Sequence, residues 1–437
     1  MITRNNILTN QIDLTNIFIV GGVIDVYDST LTNLYAINYL SNDYPINSID
    51  FPNLTTITRN TTNQIDNDNL TNINLPNLNN CWGFSIDVNN CNINLQSLTF
   101  SNSLSFFTAT ASSINLDNLQ EVNGLLLFDS PNDISLPSLI KVNNDLNVLC
   151  NEFTCDNLEY VSNGILLNIK NTINDLDLSQ LSYVGVDVQI SGNLTTDINL
   201  ISLTNSNSII ISAPSSSNIF LDNFVETTNQ FAITTNAISL TFSNLILTSQ
   251  AFDINGCNTL QSLSVPNLNN SPISIQNNPN LTSIDISGLT TTNKIIINNN
   301  TSLETIDLSS LDNIKVNAED TGNNLLYIDE SNSNLKSIDL SGLITVNNNV
   351  ISLVQTTGFP NLEEVILNNA VDATNIDIRF ANLTQTSVDN ILVALDTAGY
   401  SGGTVDLSGG TSAAPSVGTG QPAVTSLQGK GWTVTTN

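Results

Sequence analysis

The segments IDLSSLDNI at residues 306–314 and IDLSGLITV at residues 338–346 are two copies of one pattern, I-x-L-x-x-L-x-x-V. ISLPSLIKV (134–142) and IDISGLTTT (284–292) follow it too. Weaker copies begin near Ile49, Ile73, Ile93, Ile114, Phe153, Leu176, Ile198, Ile219, Ile238, Leu263 and Val365. About fifteen copies result, spaced mostly by 19 to 25 residues. A fixed period of that length marks a repeat architecture in which each unit buries its apolar face only against its neighbours.

A second apolar pair follows later in each period, then Asn or Cys: Ile86, Val88 and Cys91; Val188, Ile190 and Asn193; Phe252, Ile254 and Cys257; Ile273, Ile275 and Asn278; Ile295, Ile297 and Asn300. Two short alternating stretches per period predict two strands per coil, each with every second side chain inward. The residues between them carry further apolar positions, Leu268, Leu289, Leu311 and Leu343. A hairpin is therefore disfavoured, and the chain is expected to turn a corner and stack on the next coil as a parallel sheet. At that corner the backbone groups lose their inter-coil partners, so a buried Asn side chain is expected to bond them and to stack on the Asn above. Cys fits the same slot as a small hydrophobe.

Helical signal is nearly absent from the repeats: Asn and β-branched residues dominate, and Pro76, Pro137, Pro266, Gly288 and Gly342 punctuate the corners. The fold class expected is all-β dominated, a parallel β-solenoid of about fifteen leucine-rich coils with a small α+β cap at the C-terminus. Three regions are expected: an N-terminal cap or docking segment at 1–45, the solenoid at 46–380 and the capping module at 381–437.

ISIQNNPNL (273–281) and FDINGCNTL (252–260) resemble pieces of the leucine-rich-repeat consensus L-x-x-L-x-L-x-x-N/C-x-L. With sheet-rich coils and little helix, the chain is most similar to the receptor L-domain or BspA-like surface-protein branch of that family, over residues 46 to 380. The resemblance implies the architecture and leaves the ligand open, since the fold hosts many recognition roles.

Beyond Phe380 the character changes. TQTSVDNILVALDTA (384–398) places Val388, Ile391, Leu392 and Leu395 on one helical face, with Thr or Ser as N-cap and Gly399 as stop. TVDLSGGTSAAPS, a short helix at about 423–428 and a closing strand, GWTVTT, follow. This order resembles the C-terminal module that follows leucine-rich repeats in bacteriophage structural proteins and some bacterial surface proteins. Its expected role is a cap, a helix and the indole of Trp432 lying across the last open coil and hiding its unpaired edge. Residues 1–45 are strand-rich and carry Tyr27, Tyr35, Tyr39 and Tyr44, a residue type favoured at interfaces.

Composition narrows the function. Nine Lys plus Arg against 39 Asp plus Glu give a formal charge of −30 over 437 residues. That surface repels phosphate backbones and anionic headgroups, so neither nucleic acid nor membrane insertion is expected. There is no histidine, which removes the commonest general base and neutral metal ligand. The apolar run at 17–24 is short and holds two glycines, no cleavage site follows, and no stretch approaches 18 apolar residues. Neither a membrane span nor export by the general route is expected. The N-x-T sequons at Asn53, Asn193, Asn280 and Asn382 follow from an Asn- and Thr-rich composition.

Few constellations could carry chemistry. Asp285, Asp307 and Asp339, with Asp50 and Asp177 earlier, lie between inward residues of the first strand and face solvent. Stacked in neighbouring coils they would form either a solvated acidic face or, on the sharper reading, calcium ligands. Cys81, Cys91, Cys150, Cys155 and Cys257 are too scattered for a disulfide framework, with Cys150 and Cys155 the pair near enough to bridge. Glu363 and Glu364 are adjacent, so a strand would point them to opposite faces, which disfavours paired-carboxylate glycan hydrolysis. No catalytic, cofactor or metal residue is expected, and no cofactor. The leading functional expectation is a non-enzymatic virion structural protein of a bacteriophage, such as a head or tail fibre or decoration protein. Its partners would be other virion proteins, further copies of itself and a host-surface receptor or glycan. The alternatives are a BspA-like adhesin at the bacterial surface and a glycan-cleaving tailspike.

Overall fold

In the coil at 134–150, Ile134, Leu136, Leu139, Val142, Leu146, Val148 and Cys150 are all buried, which are the positions the pattern marks as inward. In a computed structural model these residues form the interior of a parallel β-solenoid. The structure describes residues 46–57, 62–108, 113–172, 176–315, 326–346, 350–353 and 358–437, for 171–172 the backbone alone, and the backbone of short strands within 11–37. The expected role of residues 1–45 and of their tyrosines lies outside the described residues.

The chain forms two units, Met1–Ser206 with Ile211–Leu221, and Asn207–Ile210 with Asp222–Asn437. Taken together they comprise about 14 parallel turns, and the two helices among the described residues both lie near the C-terminus. In the first unit Leu146 pairs with Ile165 and Ile165 with Val188 in parallel register. In the second, Ile273 pairs with Ile295 and Ile295 with Leu326. Like residues stack on like through the interior, as in the Phe106–Phe128 pair with ring centroids 5.1 Å apart and the Phe231–Phe252 pair at 5.5 Å.

Many coils hold three strands where two were expected. In successive coils Ile134–Ser135 pairs with Phe153–Thr154, Lys141–Val142 with Tyr160–Val161, and Leu146–Cys150 with Ile165–Thr172. The additional strand is two residues long with one inward side chain, Val142, Val161 or Val184. So short an element shows no alternation, and the final Val of the repeat pattern is its trace. The copy expected from Ile238 starts instead at Leu240, for Ile238 is 62% exposed while Leu240 and Phe242 are buried.

Near the C-terminus α1 (Gln385–Ala398) begins at Thr384, whose hydroxyl accepts from Ser387 N, and ends at Gly399 with φ 81°. Val388, Ile391, Leu392 and Leu395 are its buried face. The second helix, α2 (Gly420–Gly429), is longer than the short segment expected. Only part of the expected capping geometry is present. The Ser387 hydroxyl of α1 accepts the N–H of Val365 at 3.0 Å, so this helix covers the edge of strand Glu364–Leu367. Another sheet runs on past it, with Ile376 paired to Val405 and Val405 to Val434. Each helix thus fills one side of a longer, 29-residue coil whose strand still stacks in parallel. Trp432 is 4% exposed and its indole N–H donates to Tyr400 O at 2.9 Å, making it a core anchor.

Candidate functional site

The corner expected to hold buried Asn is present in the second unit as a continuous column. Asn278 Oδ1 accepts the N–H of Cys257 at 2.9 Å. Asn300 Oδ1 accepts from Asn278 N at 3.2 Å and from Asn278 Nδ2 at 3.1 Å. Asn332 Oδ1 accepts from Asn300 N at 3.0 Å. The amide nitrogens point back: Asn278 Nδ2 donates to Ile254 O, Asn300 Nδ2 to Ile275 O and Asn332 Nδ2 to Ile297 O, at 3.1, 2.9 and 2.8 Å. Each side chain thereby satisfies backbone groups that the turn has removed from the sheet.

Asn193 departs from this pattern, being exposed while Leu194 is buried. The register shifts at this point, residues 170 and 171 of the neighbouring strand Ile165–Thr172 standing opposite Asn193 alone, and Asn193 turns outward beside Gly192 at φ 124°. A second feature of the corner was not anticipated: the residue before it is left-handed, as at Asn90 (φ 50°), Gly256 (71°), Asn277 (57°) and Asn299 (55°). Asn and Gly tolerate that conformation best. The Asn-Cys, Gly-Cys and Asn-Asn dipeptides were the available signal. The exposed Asn299 and Asn277 bond coil to coil, Asn299 Nδ2 donating to Asn277 Oδ1 at 2.6 Å and Asn277 Nδ2 to Oδ1 of Asn255, the half-buried residue before Gly256, at 3.0 Å.

The Asn that precedes an inward Leu was also missed. Asn77 Nδ2 donates to Pro52 O and Asn157 Nδ2 to Pro137 O in the first unit, both at 2.6 Å. In the second, Asn267 Nδ2 donates to Ser243 O at 2.7 Å and Asn280 Nδ2 to Asn258 O at 2.6 Å. Each bond ties one coil to the coil before it, which accounts for much of the Asn content.

The strand-end aspartates cap turns. The carboxylates of Asp177, Asp285, Asp307 and Asp339 accept the N–H two residues on, from Ser179, Ser287, Ser309 and Ser341, at 2.9, 3.2, 2.9 and 2.8 Å. Asp307 pairs in register with Asp339. The Asp285 carboxyl is held below the usual range, first by the Ser287 hydroxyl bond. Asp50 Oδ1 instead accepts from Asn74 Nδ2, and Asn74 Oδ1 accepts from Asn94 Nδ2. Among the described residues no group of three or more His, Cys, Asp or Glu is arranged to hold a metal ion.

All five thiols are free and buried, Cys150 and Cys155 included. Burial pushes Cys81, Cys91 and Cys150 up to about 12 and Cys257 to about 11, and it raises Cys155 as well. None is a ready nucleophile. Glu363 and Glu364 are both exposed, and Glu364 accepts a bond from the Ser337 hydroxyl at 3.3 Å.

On the first unit a solvent-facing column runs Glu121, Lys141, Tyr160, Tyr183 in register. Lys141 lies 3.5 Å from Glu121 and 5.4 Å from the Tyr160 ring centre, and the two tyrosine rings stack at 4.8 Å. Among the described residues no helix is long and apolar enough to cross a membrane. Compared with known proteins, the chain matches no family model and no curated sequence.

Proposed function

We propose that the chain is a non-enzymatic structural component of a bacteriophage particle, a fibre or decoration protein that offers its solenoid for attachment. The observation that carries this reading is how the polar side chains are spent: Asn, Ser and Asp residues bond coil to coil and cap turns. Such bonding favours rigidity over reactive groups held in a cleft. The net charge of −30 and the lack of histidine agree with it. So does the resemblance of the helix, strand, helix, strand order after Phe380 to modules of phage structural proteins. Closed symmetric assemblies are the usual state of such components, so self-association belongs to the proposal.

The test uses antibodies raised against the recombinant chain, applied as immunogold to particles purified from lysates of the source and to intact cells. Labelled particles support the reading. Label confined to the cell envelope would point to the adhesin instead, and release of reducing ends from host polysaccharide by the purified chain would point to the glycan-cleaving spike.

A further inference from the structure

A depression of about 250 Å³ opens on the first unit where the third strand of three successive coils begins. Leu146, Ile165 and Val188 stack in register there, so the residues just before them, Asp145, Gly164 and Asp187, stand in one column. Two positions on, Asn147, Leu166 and Gln189 form a second. The middle coil contributes a glycine where its neighbours carry aspartate. The result is a notch with a backbone floor at Gly164, Leu166 beside it, and a carboxylate plus a carboxamide on either side.

Asp145 is already positioned, its Oδ1 accepting from Asn163 Nδ2 at 2.6 Å and from Gly164 N at 3.0 Å. Leu166 is 45% exposed, an apolar surface set among polar groups. Round the corner Tyr183 is 43% exposed and its hydroxyl stands over Gly185, next to the Val186 that lines the notch.

We infer that this notch binds one neutral pyranose unit of a glycan. Sugar hydroxyls both donate and accept, and carboxylates flanked by carboxamides answer both needs, while the C–H face of the ring matches the exposed Leu166. The volume falls below the roughly 300–1,000 Å³ of sites for drug-sized ligands, which restricts the occupant to one small ring. Two aspartates on a chain of charge −30 reject uronates and phosphosugars. The assignment rests on the chemistry of the notch and does not require the chain to be a virion component.

The recombinant chain would be titrated with the methyl glycosides of glucose, galactose, mannose and N-acetylglucosamine, and with glucuronate, by saturation-transfer NMR and calorimetry. At least one neutral glycoside should bind with a dissociation constant near 1 mM, on the order expected of one small polar ring. Gly164→Ala and Asp187→Asn should each weaken it at least tenfold. The new methyl of G164A would lie 3.4 Å from Asp145 Oδ1 and 3.5 Å from Asp187 O, ordinary contacts that leave the fold intact, and an unchanged thermal transition would verify this. The inference is overturned if no neutral glycoside binds, if both variants keep the parent affinity, if glucuronate binds as tightly, or if binding requires added calcium. Particle labelling is independent of all these outcomes, so failure here and failure of the proposed function are separable.

Discussion

Replacing Asn300 by Ala cuts the buried corner column at its centre. The N–H of Asn278 loses its acceptor at 3.2 Å, Ile275 O loses a donor at 2.9 Å, and Asn278 Nδ2 keeps one of two acceptors. Each buried group left unsatisfied costs about 1–3 kcal/mol, carbonyls toward the low end, so Asn300→Ala should cost about 2–4 kcal/mol. Asn300→Cys should cost less, since Cys257 occupies the equivalent corner with its thiol 3.7 Å from Ile233 O. Substituting the left-handed Asn299 by Ala should cost about 1–2 kcal/mol through backbone strain, and by Gly almost nothing. Because each coil contacts only its neighbours, the damage should be local. Hydrogen-exchange mass spectrometry reads this directly: protection should fall first around 273–303 and remain unchanged around 134–170. A variant Asn300→Ala whose urea midpoint and exchange pattern match the parent would refute the reasoning that the corner amides hold the coils in register.

Thiol reagents at pH 8 should leave all five cysteines unmodified until denaturant is added, five equivalents reacting then. Their folded-state pKa values lie above the unfolded value, so the native state holds protons that the unfolded state releases. Stability should therefore be full below about pH 8.5 and fall as pH rises toward 11 to 12, by up to about 1.4 kcal/mol per unit per thiol; a flat denaturation midpoint between pH 8.5 and 10.5 would contradict this. Asp307→Asn and Asp339→Asn should be neutral or mildly stabilising at low salt, since Asn keeps the turn bond and removes like-charge pairing, whereas Ala should cost about 1 kcal/mol; equal midpoints for Asn and Ala would dismiss the capping role. Trp432→Ala should cost about 3–5 kcal/mol and loosen the last strand, Thr433–Thr435, seen as faster amide exchange there, while a parent-like midpoint would show that the indole anchors nothing.

The Asn-specific corner was legible because burial selects one residue type coil after coil, as at Asn278 and Asn300. What made Asn193 misleading was one extra residue in the neighbouring strand Ile165–Thr172, which shifts the register opposite it, a change no periodic pattern reveals. The helix from Gln385 was legible down to its Thr384 cap and Gly399 stop, because those signals are local. Its placement on the edge of Glu364–Leu367, with a neighbouring sheet continuing to Thr433–Thr435, was not.

The amino-acid sequence by itself determined most of the inward positions, the parallel stacking and the helical character after Phe380, since each follows from local periodicity and the demand to bury apolar side chains. Only the tertiary structure decided which polar residues meet. Asp145, Gly164 and Asp187 become neighbours because the coils from Leu146 to Ile165 and from Ile165 to Val188 differ in length yet close into the same register. Corner geometry absorbs that difference, and it depends on side-chain bonds between coils that have no fixed spacing along the chain.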